Sequence, residues 1–552
     1  MTAASRPGGV GTVLRTVRNL RFDQLLHQVA HRTLQPLIRR RASRRSIATP
    51  RRRAWAAPWD GPVYLPRRET SHGVFTLHGV SHPIQGHADW NHARRPRLWL
   101  YECHYLDDLA AAPSIPAAEA PNLLDRWIDA NPPASGVGWE PYPLSRRIVN
   151  IVKYLGANDS VTDARMHSLA RQTRALEDQI EYHLRGNHLL ANAKALVFAG
   201  ALCAGPDADR WLRRGTTLLV DQIREQFLAD GGHFERSPMY HGLLVWDLCD
   251  VVELALRSGV EQVHAAADGC RPVIEKGLAW FATMCHPDGD VSFFNDSTGG
   301  VAPTLAALRS YAERIDTVAD VNQAPFTMPV ASGFHTVDCG PGNRLLIDLG
   351  SVGPDYQPGH AHAGTLSLEL SIGGRRTVVN SGISTYTAGV QRSRERGTAA
   401  HSTVQIDDAD SSEVWSSFRV GRRAKVTDSG WCASGDAVEV WGTHDGYTHL
   451  PGRPLHTRRC IVRPGRLDVV DRLSASVDAA VARFFLHPDV RTDGPCRWIL
   501  PDGGTVRLST AGGTPATRAT AWHPGFGTAV SNQCVEISFV GDELLTQLHW
   551  EP

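Results

Sequence analysis

Two hydrophobic periods divide this chain. From about Pro143 to Leu308 apolar residues return every three or four positions. Leu144, Ile148, Ile151 and Val152 make one stripe. Leu189, Leu190, Ala193, Leu196 and Val197 make a second, and Leu244, Leu248, Val251 and Val252 a third. Stripes of that period predict helices with a buried face. Gly205-Pro206-Asp207, Asp230-Gly231-Gly232 and His286-Pro287-Asp288-Gly289 interrupt them, with the residue types that punctuate helices. Helices of similar length with short breaks predict helical hairpins set in an array or ring. No internal repeat is strong enough to define a solenoid. After about Pro325 the period falls to two. Arg344–Leu349, Arg376–Asn380, Ala437–Trp441 and Arg466–Val470 alternate as strands do. Many short strands predict a β-sandwich or related antiparallel fold. The expected organisation is α+β and multidomain: residues 1–60 a basic segment, 61–330 a helical domain, 331–552 a β-sandwich domain.

At 552 residues the chain exceeds one ordinary core. Its 42% apolar and 21% charged residues are those of a globular protein. A net charge of +1 gives no global field for nucleic acid, which is not an expected partner. Ten scattered cysteines without a C-x-x-C pair disfavour a zinc ribbon or disulfide scaffold and suit a reducing compartment. The first sixty residues are arginine-rich, with Arg39-Arg40-Arg41, Arg44-Arg45 and Arg51-Arg52-Arg53. They lack the apolar core of a signal peptide, and no later run is long enough to span a bilayer. A cytoplasmic location is therefore expected, with the periplasm or another export route left open. The basic segment reads as a solvated arm, or as a surface for a membrane or an anionic polymer. Nothing in the sequence sets an oligomeric state.

Gly359-His360-Ala361-His362, with His401 beyond it, is the densest imidazole group. Residues two apart on a strand share a face, and Thr365 to Leu370 alternates. The pair is thus expected at a strand edge, as candidates for metal ligation or proton chemistry; two surface histidines near a turn is the plainer alternative. In the helical half, Gly186-Asn187-His188 stands at a helix start. Asn187 there also suits an N-cap, and His188 a buried histidine. Gly232-His233-Phe234-Glu235-Arg236-Ser237-Pro238-Met239-Tyr240-His241 gathers two histidines, an acid, an arginine and a tyrosine at another loop-to-helix boundary.

These runs, together with Phe294-Asn295-Asp296-Ser297, Gly353 to His362 and Arg396 to Val404, resemble the bacterial heparinase II/III family of polysaccharide lyases. Leu98-Trp99-Leu100-Tyr101 and Trp139 to Ser145 fit the same pattern. The resemblance implies an incomplete (α/α) toroid followed by an antiparallel β-sandwich domain, with a cleft between them. It also implies β-elimination at a uronic acid of an anionic polysaccharide. Such a reaction needs a group to stabilise charge developing at the carboxylate, a base for the α-proton and an acid for the leaving oxygen. Asn187 and His188 match the carboxylate-neutralising positions. Tyr240 matches the catalytic tyrosine, as base, acid or both, and His360 a histidine that assists as base. Glu235, Arg236, His241 and Tyr356 are the expected substrate contacts. Trp139, Tyr142 and Tyr356 are candidates for stacking on sugar rings, with a core role the plainer alternative for Trp139. In relatives with a structural zinc the ligands match His362, His401 and a carboxylate where this chain has Asn380. Ala191 and Gly364 also replace acids found in many relatives. A carbohydrate-binding or assembly protein without turnover is the alternative function. A glycoside hydrolase using Glu235, Asp288 or Asp296 is a third.

Overall fold

The computed structural model describes residues 9–44, 46–71, 73–110, 123–158, 160–317 and 331–551. Six long helices form the body of the first part: Pro141–Ala157, Asp163–Glu177, Gly186–Leu202, Pro206–Gln226, Pro238–Ser258 and Glu261–Met284. They form a toroid in which Gly186–Leu202 packs on Pro206–Gln226 and Pro141–Ala157, and Pro238–Ser258 packs on Glu261–Met284. Gly186–Leu202 is apolar on almost every side and is buried along nearly its whole length, as a helix enclosed by others must be. It touches Pro141–Ala157, Asp163–Glu177, Pro206–Gln226 and Pro238–Ser258. Its tightest contact uses Gly200 and Gly215, where a Cβ would strike Leu212 and the backbone of Val197. Arg147 is fully buried and donates to the His104 and Gly138 carbonyls and to Gln172. Trp139, 4% exposed, belongs to this core rather than to a sugar-stacking surface.

The change of period expected near Pro325 lies outside the described residues, and the expected domain boundary after residue 330 falls at their edge. The described chain passes from helix Leu305–Arg314 to strand Phe334–Asp338. From there on it is a large antiparallel sheet domain. Strand Arg466–Leu486 pairs with His456–Arg463, Val530–Trp550, Val404–Ile406 and Arg375–Val379. The sheet continues through Leu368–Ile372 and Arg344–Asp348 to Phe334–Asp338. Register shifts at Arg472/Val477 and Val477/Ala480 break the pairing of the two 21-residue strands. Bulges of that kind bend a strand and increase its twist, so the sheet wraps one apolar core that includes Leu345, Leu368, Val440, Val469, Phe484, Ile537 and Leu548.

The two domains meet over Trp280, Met284, Phe294, Phe334 and Leu346. Polar ties surround that patch. Arg344 donates to the Cys285 carbonyl at 2.9 Å, Arg376 pairs with Asp288, and His286 lies between Ser371 and Glu369. The basic N-terminal segment is not a free arm over its described length. It forms helices Val10–Val17 and Phe22–Arg44, and its polar side chains reach both domains.

The loop before strand Leu368–Ile372 corrects one expectation. His360 and His362 do not share a strand face, because the strand begins only at Leu368 and Leu366 takes φ +62°. Both histidines lie in the loop between strands Arg344–Asp348 and Leu368–Ile372, which reaches Asn187 and Asp296 of the first domain.

Candidate active site

Helix Gly186–Leu202 opens at the cleft through two left-handed residues, Arg185 at φ +61° and Gly186 at φ +56°. A Cβ on Gly186 would run into the Glu235 carboxylate. The helix has no side-chain cap of its own. Glu235 supplies one from another segment, accepting the Asn187 backbone N–H at 2.8 Å, and a carboxylate there also complements the helix dipole. The Asn187 amide donates to the same carboxylate at 2.9 and 3.2 Å. Asn187 is therefore not the N-cap, and its Nδ2 is 3.4 Å from His360 Nε2. At the next residue, His188 Nδ1 lies 3.0 Å from Glu181, and its ring is 4.5 Å from Tyr142. Burial pulls the imidazole down, but the Glu181 carboxylate more than offsets this and holds His188 above its ordinary value.

Tyr240 sits in the first turn of helix Pro238–Ser258, which Ser237 caps through the Tyr240 backbone N–H. Ser237 Oγ also donates to the Asp296 carbonyl at 2.7 Å, which locks this helix start to the loop carrying Asp296. The Tyr240 ring stacks on His360, with centroids 3.9 Å apart. Its hydroxyl is 3.1 Å from that of Tyr386 in the β domain. Burial, together with Tyr386, pushes the Tyr240 phenol well above 10, so it is protonated at neutral pH.

Asp296 organises the other wall. Arg392 holds it with two bonds of 2.5 and 2.7 Å, and both groups are fully buried. His360 Nδ1 approaches one carboxylate oxygen at 3.0 Å and His362 Nε2 the other at 2.8 Å. Burial alone would raise Asp296, but Arg392 and the two imidazoles hold it well below the carboxylate range. An anionic Asp296 accepts Nδ1–H from His360, whose Nε2 lies 3.4 Å from both the Asn187 amide nitrogen and a Glu235 carboxylate oxygen. The histidines thus straddle one aspartate, His360 toward Tyr240 and His362 toward His401.

The structure brings Asn187, Tyr240 and His360 together, with His188 beside Asn187 on the same helix start. The four expected substrate contacts are placed differently. Glu235, 1% exposed, lies behind Asn187 and positions it. His241 is fully buried, accepting from the His233 N–H and bonding to the Gly277 carbonyl. Arg236 spans the Ser351 and Ala331 carbonyls and so ties the domains together. Tyr356 bonds Glu225 at 2.9 Å and lies under Arg21 and Arg185. Tyr386, Arg392 and Glu181 were not singled out from the sequence. Only Asp296 carried a signal, as a spare carboxylate in the Phe294–Ser297 run.

His362 Nδ1 and His401 Nε2 face each other at 3.1 Å. His401 Nδ1 must donate to the Gly397 carbonyl, and His362 Nε2 to Asp296. Burial pushes His362 down to about 3 and His401 to about 4. Both facing nitrogens are therefore bare, an arrangement that a shared cation satisfies. Asn380 does not complete the set, because its amide donates to Glu369 and accepts from Ser402. Among the described residues no group of three His, Cys, Asp or Glu is placed to hold a metal.

The profile of the heparinase II/III N-terminus matches residues 120–320, and that of the heparinase II/III-like C-terminal domain residues 322–551. The chain belongs to the heparinase II/III family. Among heparinase II/III relatives, the heparin-sulfate lyase of Pedobacter heparinus is 24% identical over 299 residues, 49% of this chain and 44% of that protein. The chain is also similar to FtsZ-localized protein C of Caulobacter vibrioides, 28% identical over 450 residues, 75% of this chain and 73% of that one. In fold it matches heparinase III with a TM-score of 0.61 at 16% identity, over 88% of this chain and 81% of that one. The Pedobacter heparinus heparan sulfate lyase HepC gives 0.56 at 16% identity, over 88% and 82%.

Proposed function

We propose that this heparinase II/III family member is a polysaccharide lyase that cleaves a uronate-containing bacterial exopolysaccharide or capsule polymer by β-elimination. One observation carries the proposal. Tyr240 from the toroid and His360 from the β domain lie face to face beside the Asn187 amide. In this scheme Asn187 and His188 hold the substrate carboxylate and stabilise charge that develops on it. His360 Nε2, its ring oriented by Asp296 at the other nitrogen, takes the proton from the carbon bearing that carboxylate. The electron pair forms the new C=C bond as the bond to the glycosidic oxygen breaks. Tyr240, held protonated, gives its proton to that oxygen. Exchange with solvent returns a proton to Tyr240 and removes one from His360.

A zinc shared by His362 and His401 would brace the Asp296 wall, and no step passes through it. The test is a panel of uronate polymers assayed for the ultraviolet absorbance of an unsaturated product. Product formation on any polymer supports the lyase. Polymer binding without product favours the second function, a carbohydrate-binding or assembly protein. One observation supports that alternative: Glu235 already engages the Asn187 amide.

A further inference from the structure

The N-terminal helix pair packs inside out. An amphipathic helix on a globular protein turns its apolar stripe to the core. Here Val10, Leu14 and Val17 on the first helix are 79%, 65% and 38% exposed. Phe22, Leu26 and Val29 on the second are 75%, 55% and 62% exposed. Both sets follow the i, i+4, i+7 spacing of one helix face. The polar face does the docking. Thr12 and Arg15 bond Glu413, and Thr16 accepts from Trp415. Arg21 pairs with Glu225, Asp23 with Arg185, and Gln24 donates to the Tyr356 carbonyl. The pair is thus held by both domains with two apolar stripes facing solvent.

Charge identifies what would cover them. Residues 1–60 hold thirteen arginines against two aspartates, a net +11, whereas the rest of the chain is −10. Arg18, at the C-cap of the first helix, and Arg32, on the second, are exposed. An anionic polysaccharide would satisfy the arginines and leave the apolar stripes in water. A second copy of this segment would bring like charges together. An anionic phospholipid surface satisfies both, taking the apolar face at the acyl boundary and the arginines at the headgroups. No helix among the described residues is long and apolar enough to cross a membrane, which fits a helix lying in the interface.

We infer that helices Val10–Val17 and Phe22–Arg44 dock this protein on an anionic lipid bilayer. The contacts to Arg185, Glu225 and Tyr356 place that surface beside the helix start at Gly186-Asn187 and hence beside the cleft. The test is sedimentation of the full chain with phosphatidylglycerol–phosphatidylcholine vesicles, with pure phosphatidylcholine vesicles, and without lipid. The expected result is partition onto the anionic vesicles that weakens at least about tenfold on neutral vesicles or in high salt. The double variant Leu14→Asp, Leu26→Asp changes only exposed side chains. It should lose about tenfold or more of that binding with its thermal transition unchanged. Three results would overturn the inference. They are no partition at low salt, partition that the double variant retains, and a lipid-free dimer that the double variant abolishes.

Discussion

Replacing Tyr240 by Phe removes one hydroxyl and nothing else from the cleft. The ring keeps its stack on His360, so the pocket shape persists. The bond to Tyr386 is lost. A hydrogen bond of this kind is worth about 0.5–1.5 kcal/mol, and an unpaired Tyr386 hydroxyl adds a cost of about 1–3 kcal/mol if no water reaches it. Tyr386 is only part-buried, so the lower end applies and the variant folds. Turnover should suffer far more. Tyr240 is held protonated by burial, so it is the acid that meets the leaving oxygen. Loss of a general acid lowers turnover about 100- to 10,000-fold, or about 3–5 kcal/mol of barrier. The measurement is the initial rate of unsaturated-product absorbance on a polymer that the parent cleaves. kcat and kcat/KM should fall together with KM nearly unchanged, because the lost contact matters only in the transition state. Tyr386→Phe keeps the Tyr240 hydroxyl and should cost only about tenfold. A Tyr240→Phe enzyme within about threefold of the parent would remove this residue from proton transfer.

Asn187→Ala should lower kcat about 100-fold or more while KM moves little, since its amide acts on developing charge; a change confined to KM would make it a positioning residue. His188 titrates above its ordinary value, so its contribution to binding an anionic polymer is complete below about pH 6.5 and is lost as pH rises through the raised value. KM measured against pH should therefore rise on the alkaline side, and His188→Gln should flatten that limb; a variant with the parent's profile would assign the titration elsewhere. Elemental analysis should find zinc below one per chain, absent in His362→Ala and increased in Asn380→Asp, which supplies the missing carboxylate. Metal-free parent and Asn380→Asp proteins would leave the two imidazoles as polar wall residues.

The fold was legible wherever burial imposes a period. The stripes at Leu144–Val152 and Leu189–Val197 lie in helices Pro141–Ala157 and Gly186–Leu202. Arg466–Val470 revealed only the start of a 21-residue strand, because the bulges after Arg472 disturb its alternation. The site was legible in its motif residues and not in their supports. Asn187, Tyr240 and His360 stand in dense polar runs, while Tyr386 and Arg392 stand in a segment without pattern and matter only through approach in space. A fully buried Arg392 runs against what arginine alone suggests. Glu235 caps its helix from 48 residues away, a distance at which no local capping pattern marks it in the sequence.

The bond between Asp296 and Arg392 also bears on inheritance. One partner precedes the β domain and the other lies within it, 96 residues later. Recombination that joined this toroid to a foreign β domain without the arginine would bury a bare carboxylate, a penalty of several kcal/mol. The reverse graft would strand a guanidinium. The two halves must therefore diverge as a linked pair, and an exchange between lineages should carry both or neither.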